Sequence, residues 1–179
     1  MHINKTHTVS AIAAIDLANE LIERGFLNIE GENGIPPSLV TLYHNNQQGL
    51  SIAEKRVAES HFLSLWHVAS NQDRIPSLGI EIGKTVNVNA KGILANWLSC
   101  CETLNQAFSV FKKNISLLNQ SEFWSMSYQG EYVKLSFKFS SEFCYPSMAI
   151  ERSMVALITW AEFFCCKQTQ DQNSVIYFW

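Results

Sequence analysis

The strongest constraint on this chain is a change of hydrophobic period near residue 120. Upstream of it, Leu104, Ala107, Phe108, Phe111, Ile115 and Leu118 recur at three- and four-residue spacing, the stripe of an amphipathic helix. Downstream, Trp124, Met126 and Tyr128 alternate with Ser125 and Ser127. Val133, Leu135, Phe137 and Phe139 then alternate with Lys134, Ser136 and Lys138. Strict alternation belongs to strands with one buried face. Both periods in direct succession exclude an all-helical or all-strand domain and predict an α+β fold, with a helical N-terminal two-thirds packed on a small antiparallel sheet. A two-residue turn at Gln129-Gly130 pairs Tyr128 with Glu131, Met126 with Val133 and Trp124 with Leu135. All apolar members then share one face, whereas a slip of one residue sets them against Lys134 and Ser136.

The other elements follow from caps and breakers. Thr8 is placed to cap a helix running to Arg24, with Gly25 beyond its end. Residues 28–37 read as loop and Ser38 to His44 as a short helix. Ser51 with Glu54 reads as a capping box for a helix whose inner face is Ala58, Phe62, Leu65, Trp66 and Ala69, with Glu54, Lys55, Arg56 and Glu59 outside. Asn71 to Pro76 ends it. Ser77 to Gly83 is short and carries glycine near both ends, Lys91 to Cys101 predicts a helix, and Thr103 with Gln106 is a second capping box. Pro146 suits the first turn of a long helix to about Lys167. Its middle is apolar nearly all round, which predicts a central element before the last strand. Thr169 to Asn173 reads as loop and Val175 to Trp179 as that strand, and a chain stopping there is expected of a fragment.

Composition removes several function classes. The 179 residues suit a single domain, 1–179, with a sizeable core. Net charge is −3 and only 16% of residues are charged, against about 25% in ordinary soluble domains. Nucleic-acid binding by this domain alone is therefore not expected. The longest apolar run, Met154 to Cys166, is broken by Thr159 and Glu162 and is too short to span a bilayer. No apolar leader follows Met1, so a cytoplasmic protein is expected. The five cysteines are odd in number and include the adjacent pairs Cys100-Cys101 and Cys165-Cys166, which read as reduced core thiols. A soft-metal site built from the two pairs is the alternative.

Catalysis has no local signature: there is no G-x-S-x-G, no phosphate-cradling glycine loop and no H-E-x-x-H. His61 and His67 lie six apart, on different faces of a helix. Aromatic residues, 12% of the chain, are more informative. Trp66, Trp97, Trp124 and Trp160 fall in four separate elements. Converging aromatics build either a packed core or an apolar ligand pocket, and the sequence leaves both open.

The central segment is similar to a known family. The run Phe62 to Ala69, then Ile75-Pro76-Ser77-Leu78-Gly79-Ile80-Glu81-Ile82-Gly83, resembles its "a-x-x-t-x-d-P-x-L-G-L-x-x-G" stretch. Gly92 to Leu98 followed by Thr103-Leu104-Asn105-Gln106-Ala107-Phe108 resembles its "G-x-L-G…T-L-x-x-A-L" stretch. The family is the N-terminal effector domain of AraC/XylS-type transcriptional regulators, arabinose-binding-domain-like, of the ornithine-regulator-like subgroup. The resemblance runs from about Ala13 to Trp179. Lys113-Asn114 stands where the family usually carries Arg-Tyr, and the helix-turn-helix domain that follows in the family is absent from this sequence.

That resemblance implies a sensor, not an enzyme, that binds a small organic effector without a cofactor, forms a homodimer and controls an attached DNA-binding domain. The effector is expected between the helices and the hairpin and is expected to be largely apolar or amphipathic. Trp66, His67, Trp97, Trp124, Met126, Tyr128 and Trp160 are its candidate contacts. Alternatives from other classes are a ligand-free oligomerisation module and a thiol-based metal or redox sensor.

Overall fold

The computed structural model describes residues 7–31, 34–71, 76–85, 87, 93–130 and 132–168; the side chains at 93 and 166–168 are not among those described. In chain order the elements are β1 (Thr8–Ser10), α1 (Ala11–Glu23), α2 (Pro37–Gln47), β2 (Arg56–Ala58), α3 (Glu59–Ser70), α4 (Leu78–Lys84), α5 (Ile93–Ser99), α6 (Leu104–Asn114), a 3₁₀ turn (Ile115–Leu117), β3 (Glu122–Gln129), β4 (Tyr132–Phe139) and α7 (Ser147–Gln168). The α+β prediction holds: helices dominate and the strands form two antiparallel pairs, β1 with β2 and β3 with β4. The loop 169–173 and the strand 175–179 expected from the sequence lie outside the described residues, as do most of the break at 71–76 and the first two residues of the helix predicted from Lys91.

The central helix is α1, not α7. Ala11, Ala13, Ala14, Ile15, Leu17, Ala18 and Leu21 of α1 are all buried, so nearly its whole circumference is covered. Small alanines let α2, α3 and β1 approach closely, and each fully buried leucine contributes about 1.5–3 kcal/mol. Gly25 (φ +75°) ends the helix, and the Phe26 N–H reaches back to the Leu21 carbonyl at 2.8 Å. By contrast, α7 leaves Ile150, Met154 and Phe163 exposed. It is apolar on too many sides for its surroundings, and one side faces solvent.

Two local expectations fail at the same place. Thr8 does not cap α1, because Thr8–Ser10 forms a ladder with Arg56–Ala58. The Ser51-Glu54 box does not open α3 either; residues 51–55 form a turn and β2 intervenes, so α3 begins at Glu59. Arg56, expected on a helix surface, clamps this sheet. Its guanidinium donates to Thr8 Oγ1 (2.8 Å), the Thr8 carbonyl (2.7 Å), the Leu117 carbonyl (2.5 Å) and the Ser116 carbonyl (3.2 Å).

The second capping box does form. Thr103 Oγ1 accepts from the Gln106 N–H at 3.2 Å, and the Gln106 side chain accepts from the Glu102 N–H at 2.9 Å. The hairpin also forms, but its register is moved by two residues. Trp124 lies opposite Phe137, Met126 opposite Leu135 and Tyr128 opposite Val133, with Gly130 (φ +64°) in the reversal. A shift of two keeps every side chain on its predicted face, so the alternation could not distinguish the two pairings.

The buried side chains form two clusters. One holds α1, α2, α3, α4 and the start of α7 around Trp66; the other holds α5, α6 and the end of α7 around Trp160. Helix α7 serves both, with Ala149 in the first and Leu157, Trp160, Ala161 and Phe164 in the second. Its first half crosses α4 at glycines: a Cβ on Gly79 would lie 2.1 Å from the Met148 carbonyl oxygen, and one on Gly83 would lie 2.8 Å from Val155 Cβ. These are the two glycines of the family-like L-G-I-E-I-G stretch. The cysteines are not uniformly core residues, for Cys101 is buried while Cys100 and Cys144 are exposed.

Candidate functional site

A cavity lies where the two clusters meet. Helix α7 supplies one wall through Ala149, Arg152, Ser153, Ala156 and Leu157, spaced i, i+3, i+4, i+7 and i+8 on one face. Three of those five side chains are small, and this is what leaves room. Phe62 and Trp66 of α3 and Ile82 of α4 contribute from the first cluster; Phe111 of α6 and Ile115 contribute from the second. Glu122 and Phe139, at the open end of the hairpin, and Tyr145 close the base. The cavity measures about 80 Å³ to the centre of a water-sized sphere. One water needs roughly 10–15 Å³ on that measure, so the space holds several waters or a slender organic molecule.

Its polar groups sit at two ends. At one end Asn87 Nδ2 donates to Asp16 Oδ1 at 2.6 Å, and Arg152 faces Asp16 at 3.7 Å. Asp16 and Asn87 also border a second, more open groove of about 350 Å³ beside α1 and α2. Trp66, also on the lining, is 1% exposed, and its Nε1 has no hydrogen-bond partner among the described residues. A buried N–H left without an acceptor is uncommon and asks for a ligand or water.

The other end joins a buried network centred on Glu59. This first residue of α3 is 1% exposed, and its carboxylate accepts from Ser121 Oγ at 2.5 Å and from the Tyr145 hydroxyl. Asn119 Nδ2 donates to the Tyr145 oxygen at 2.9 Å, while Asn119 Oδ1 accepts from the Ser121 N–H at 2.8 Å. His7 Nδ1 lies 2.5 Å from Ser121 Oγ, and its Nε2 lies 3.4 Å from Glu142. The carboxylate is stabilised by these donors and by its place in the first turn of a helix. Burial, and then the bond to Glu59, push the Tyr145 pKa far above the tyrosine range.

Serine, histidine and carboxylate in contact superficially suggest a nucleophile and its base. The geometry does not support one. Ser121 is fully buried, and its hydroxyl already donates to Glu59. The network instead fixes the cavity floor. An aromatic chain leads away from it: Tyr145 stacks on Phe139 at 3.5 Å between ring centroids, Phe139 meets Phe137 at 4.9 Å, and Phe137 meets Trp124 at 4.6 Å.

Of the seven candidate contacts read from the sequence, Trp66 lines this cavity and the other six lie elsewhere. His67, one position on from Trp66, is turned to solvent, and Trp97 is 44% exposed. Trp124 packs on Phe111 and Phe137, and its Nε1 donates to Glu122 at 2.7 Å. Met126 is half-buried in the hairpin, Tyr128 is mostly exposed and donates to Asn105, and Trp160 is core. Sequence reasoning missed Asp16 and Arg152, which are 136 positions apart, and the small residues of α7. The i, i+4, i+7 recurrence of Ala149, Ser153 and Ala156 was the signal available for the latter.

Among the described residues no three His, Cys, Asp or Glu side chains are placed to hold a metal, and no helix is long and apolar enough to cross a membrane. No curated protein matches the chain. The family described as the N-terminal arabinose-binding domain of AraC transcription regulators matches residues 46–173, from the end of α2 to beyond α7. That match covers well over half of the sequence and includes both glycines at the α4–α7 crossing, the Glu59 network apart from His7, and most of the cavity wall. The chain therefore belongs to the family of N-terminal ligand-sensing domains of AraC-type transcription regulators.

Proposed function

We propose that this chain senses a small, largely apolar or amphipathic organic effector in the cavity beside Trp66 and passes the result, as a homodimer, to an attached DNA-binding domain in the cytoplasm. The observation that carries this is the cavity itself: a narrow space between two core clusters, with apolar walls and polar ends, lined in part by Trp66, whose buried N–H has no partner among the described residues. Its walls come from α1, α3, α4, α6 and α7, so a ligand that favours one spacing of these helices biases the arrangement of both clusters. Such differential affinity is what a sensor requires.

The amphipathic stripe of α6 is a poor candidate for the dimer contact. Ala107 and Phe111 of that stripe are buried in the chain's own core. Two measurements test the function. Native mass spectrometry of the full chain reads co-purified ligand and oligomeric state together, and a ligand bound to a dimer is expected. Ala156→Phe, which fills the cavity from α7, is expected to abolish ligand binding while preserving the circular dichroism spectrum. A monomer at high micromolar concentration counts against pairing through this domain, and unchanged binding in the filled variant places the site elsewhere.

A further inference from the structure

The hydrogen-bonding capacity of the cavity is lopsided, and that asymmetry selects a ligand class. Several of its acceptors already hold a donor: Asp16 takes the Asn87 amide, Asn119 Oδ1 takes the Ser121 N–H, and Glu122 takes the Trp124 indole. The Tyr145 hydroxyl donates to Glu59 and the Thr85 hydroxyl donates to the Ile82 carbonyl at 2.5 Å. What is left over are donors. Among the described residues Trp66 Nε1 is buried without a partner, and the Arg152 guanidinium faces Asp16 at 3.7 Å, beyond hydrogen-bond length. Ser153 Oγ, beside Arg152 on the same wall, can act either way.

Resting on the reading of this cavity as the effector site, we propose that its ligand is a slender monocarboxylate with an apolar body. The carboxylate pairs with Arg152, whose planar fork suits two oxygens. The apolar body lies between Phe62, Ile82, Phe111 and Ile115. An oxygen of the ligand, or a water held by it, satisfies Trp66 Nε1. A sugar or other polyol suits this lining less well. Every hydroxyl brings a donor as well as an acceptor, and the walls of Phe, Ile and Leu between the two polar ends offer no acceptor for it.

The test uses the full chain, calorimetry, and three probes: octanoate, 1-octanol and L-arabinose. Octanoate is expected to bind at least tenfold more tightly than 1-octanol, which shares the body and lacks the anion. Arg152→Gln is expected to erase that preference, and Arg152→Lys to retain part of it. Equal affinity for octanoate and 1-octanol in the unmodified chain overturns the proposal without recourse to any variant. So does a failure of octanoate to bind at millimolar concentration. Ala156→Phe separates this failure from that of the underlying reading. If L-arabinose binds in place of octanoate and Ala156→Phe abolishes it, the cavity is the site and the carboxylate assignment is wrong. If octanoate binds equally well to a folded Ala156→Phe variant, the cavity reading itself is wrong and the proposal falls with it.

Discussion

Replacing Gly79 by alanine tests the packing that creates the cavity. The new methyl group would sit 2.1 Å from the Met148 carbonyl oxygen and 2.8 Å from the Met148 Cα and carbonyl carbon. All three are backbone atoms at the start of α7, so no rotamer change relieves the clash. Non-bonded carbons settle near 3.5–4.0 Å, so α4 and α7 must separate by roughly 1 Å or more, which forfeits a quarter to a half of the dispersion energy along the crossing. Alanine favours the helical state by about 1 kcal/mol over glycine, through propensity and a less entropic unfolded chain. Overpacking typically costs 1–3 kcal/mol and more where backbone blocks relaxation. The clash therefore wins, and the net destabilisation is expected at about 1–3 kcal/mol. For a domain of this size that lowers Tm by roughly 2–10 °C. Urea and thermal denaturation followed by circular dichroism measure it. Gly83→Ala, which meets the Val155 side chain and the Arg152 carbonyl oxygen at 2.8 and 2.9 Å, should be milder. A Gly79→Ala protein as stable as the parent, or more so, refutes the close crossing.

Three further outcomes follow from the network, the clamp and the thiols. The Tyr145 pKa is raised above its unfolded value by burial and the bond to Glu59. Its contribution to stability is therefore complete below about pH 10 and is lost as pH rises further, by about 1.4 kcal/mol per pH unit. Tyr145→Phe should flatten that alkaline slope in urea titrations while lowering stability at neutral pH by about 1–3 kcal/mol, because a buried carboxylate loses a donor. Arg56→Ala removes donors to one hydroxyl and three carbonyl oxygens and should cost about 1–2 kcal/mol. Since none of those acceptors is a carboxylate, the loss should persist at high salt, as chemical denaturation can show. Iodoacetamide on the native chain should label the exposed Cys100 and Cys144 and spare Cys101, which is buried and whose pKa burial raises; peptide mass mapping reads this directly.

The legibility of this fold in its sequence followed the range of the interactions involved. The Thr103–Gln106 cap and the strands flanking Gly130 are decided by neighbours a few residues apart, and both were readable. The hairpin register was readable only up to an even shift, because face and register carry the same period. Strands β1 and β2 are three residues each and pair across 46 to 50 positions, so no local pattern announces them. The same pairing defeated both the Thr8 cap and the Ser51–Glu54 box. At the site, Trp66 was legible as an inward aromatic on α3. His67 was not separable from it by type, although one residue along a helix turns a side chain by about 100°. The Asp16–Arg152 pair, the engaged acceptors and the empty space along α7 arise from contacts between distant segments. Composition could say only that aromatics would gather, leaving core and pocket both open.

The most direct test of the account is the indole N–H spectrum of the chain labelled with nitrogen-15, with the Trp66 resonance assigned by its loss in Trp66→Phe. The chain has five tryptophans, and Trp66 is the cavity-lining one whose N–H lacks an acceptor among the described residues. Addition of a bound carboxylate should move the Trp66 signal downfield, as its N–H gains an acceptor, and leave the solvent-exposed Trp97 in place. A ligand that binds with the Trp66 signal unmoved, or that shifts Trp97 instead, contradicts the assignment of this cavity as the effector site.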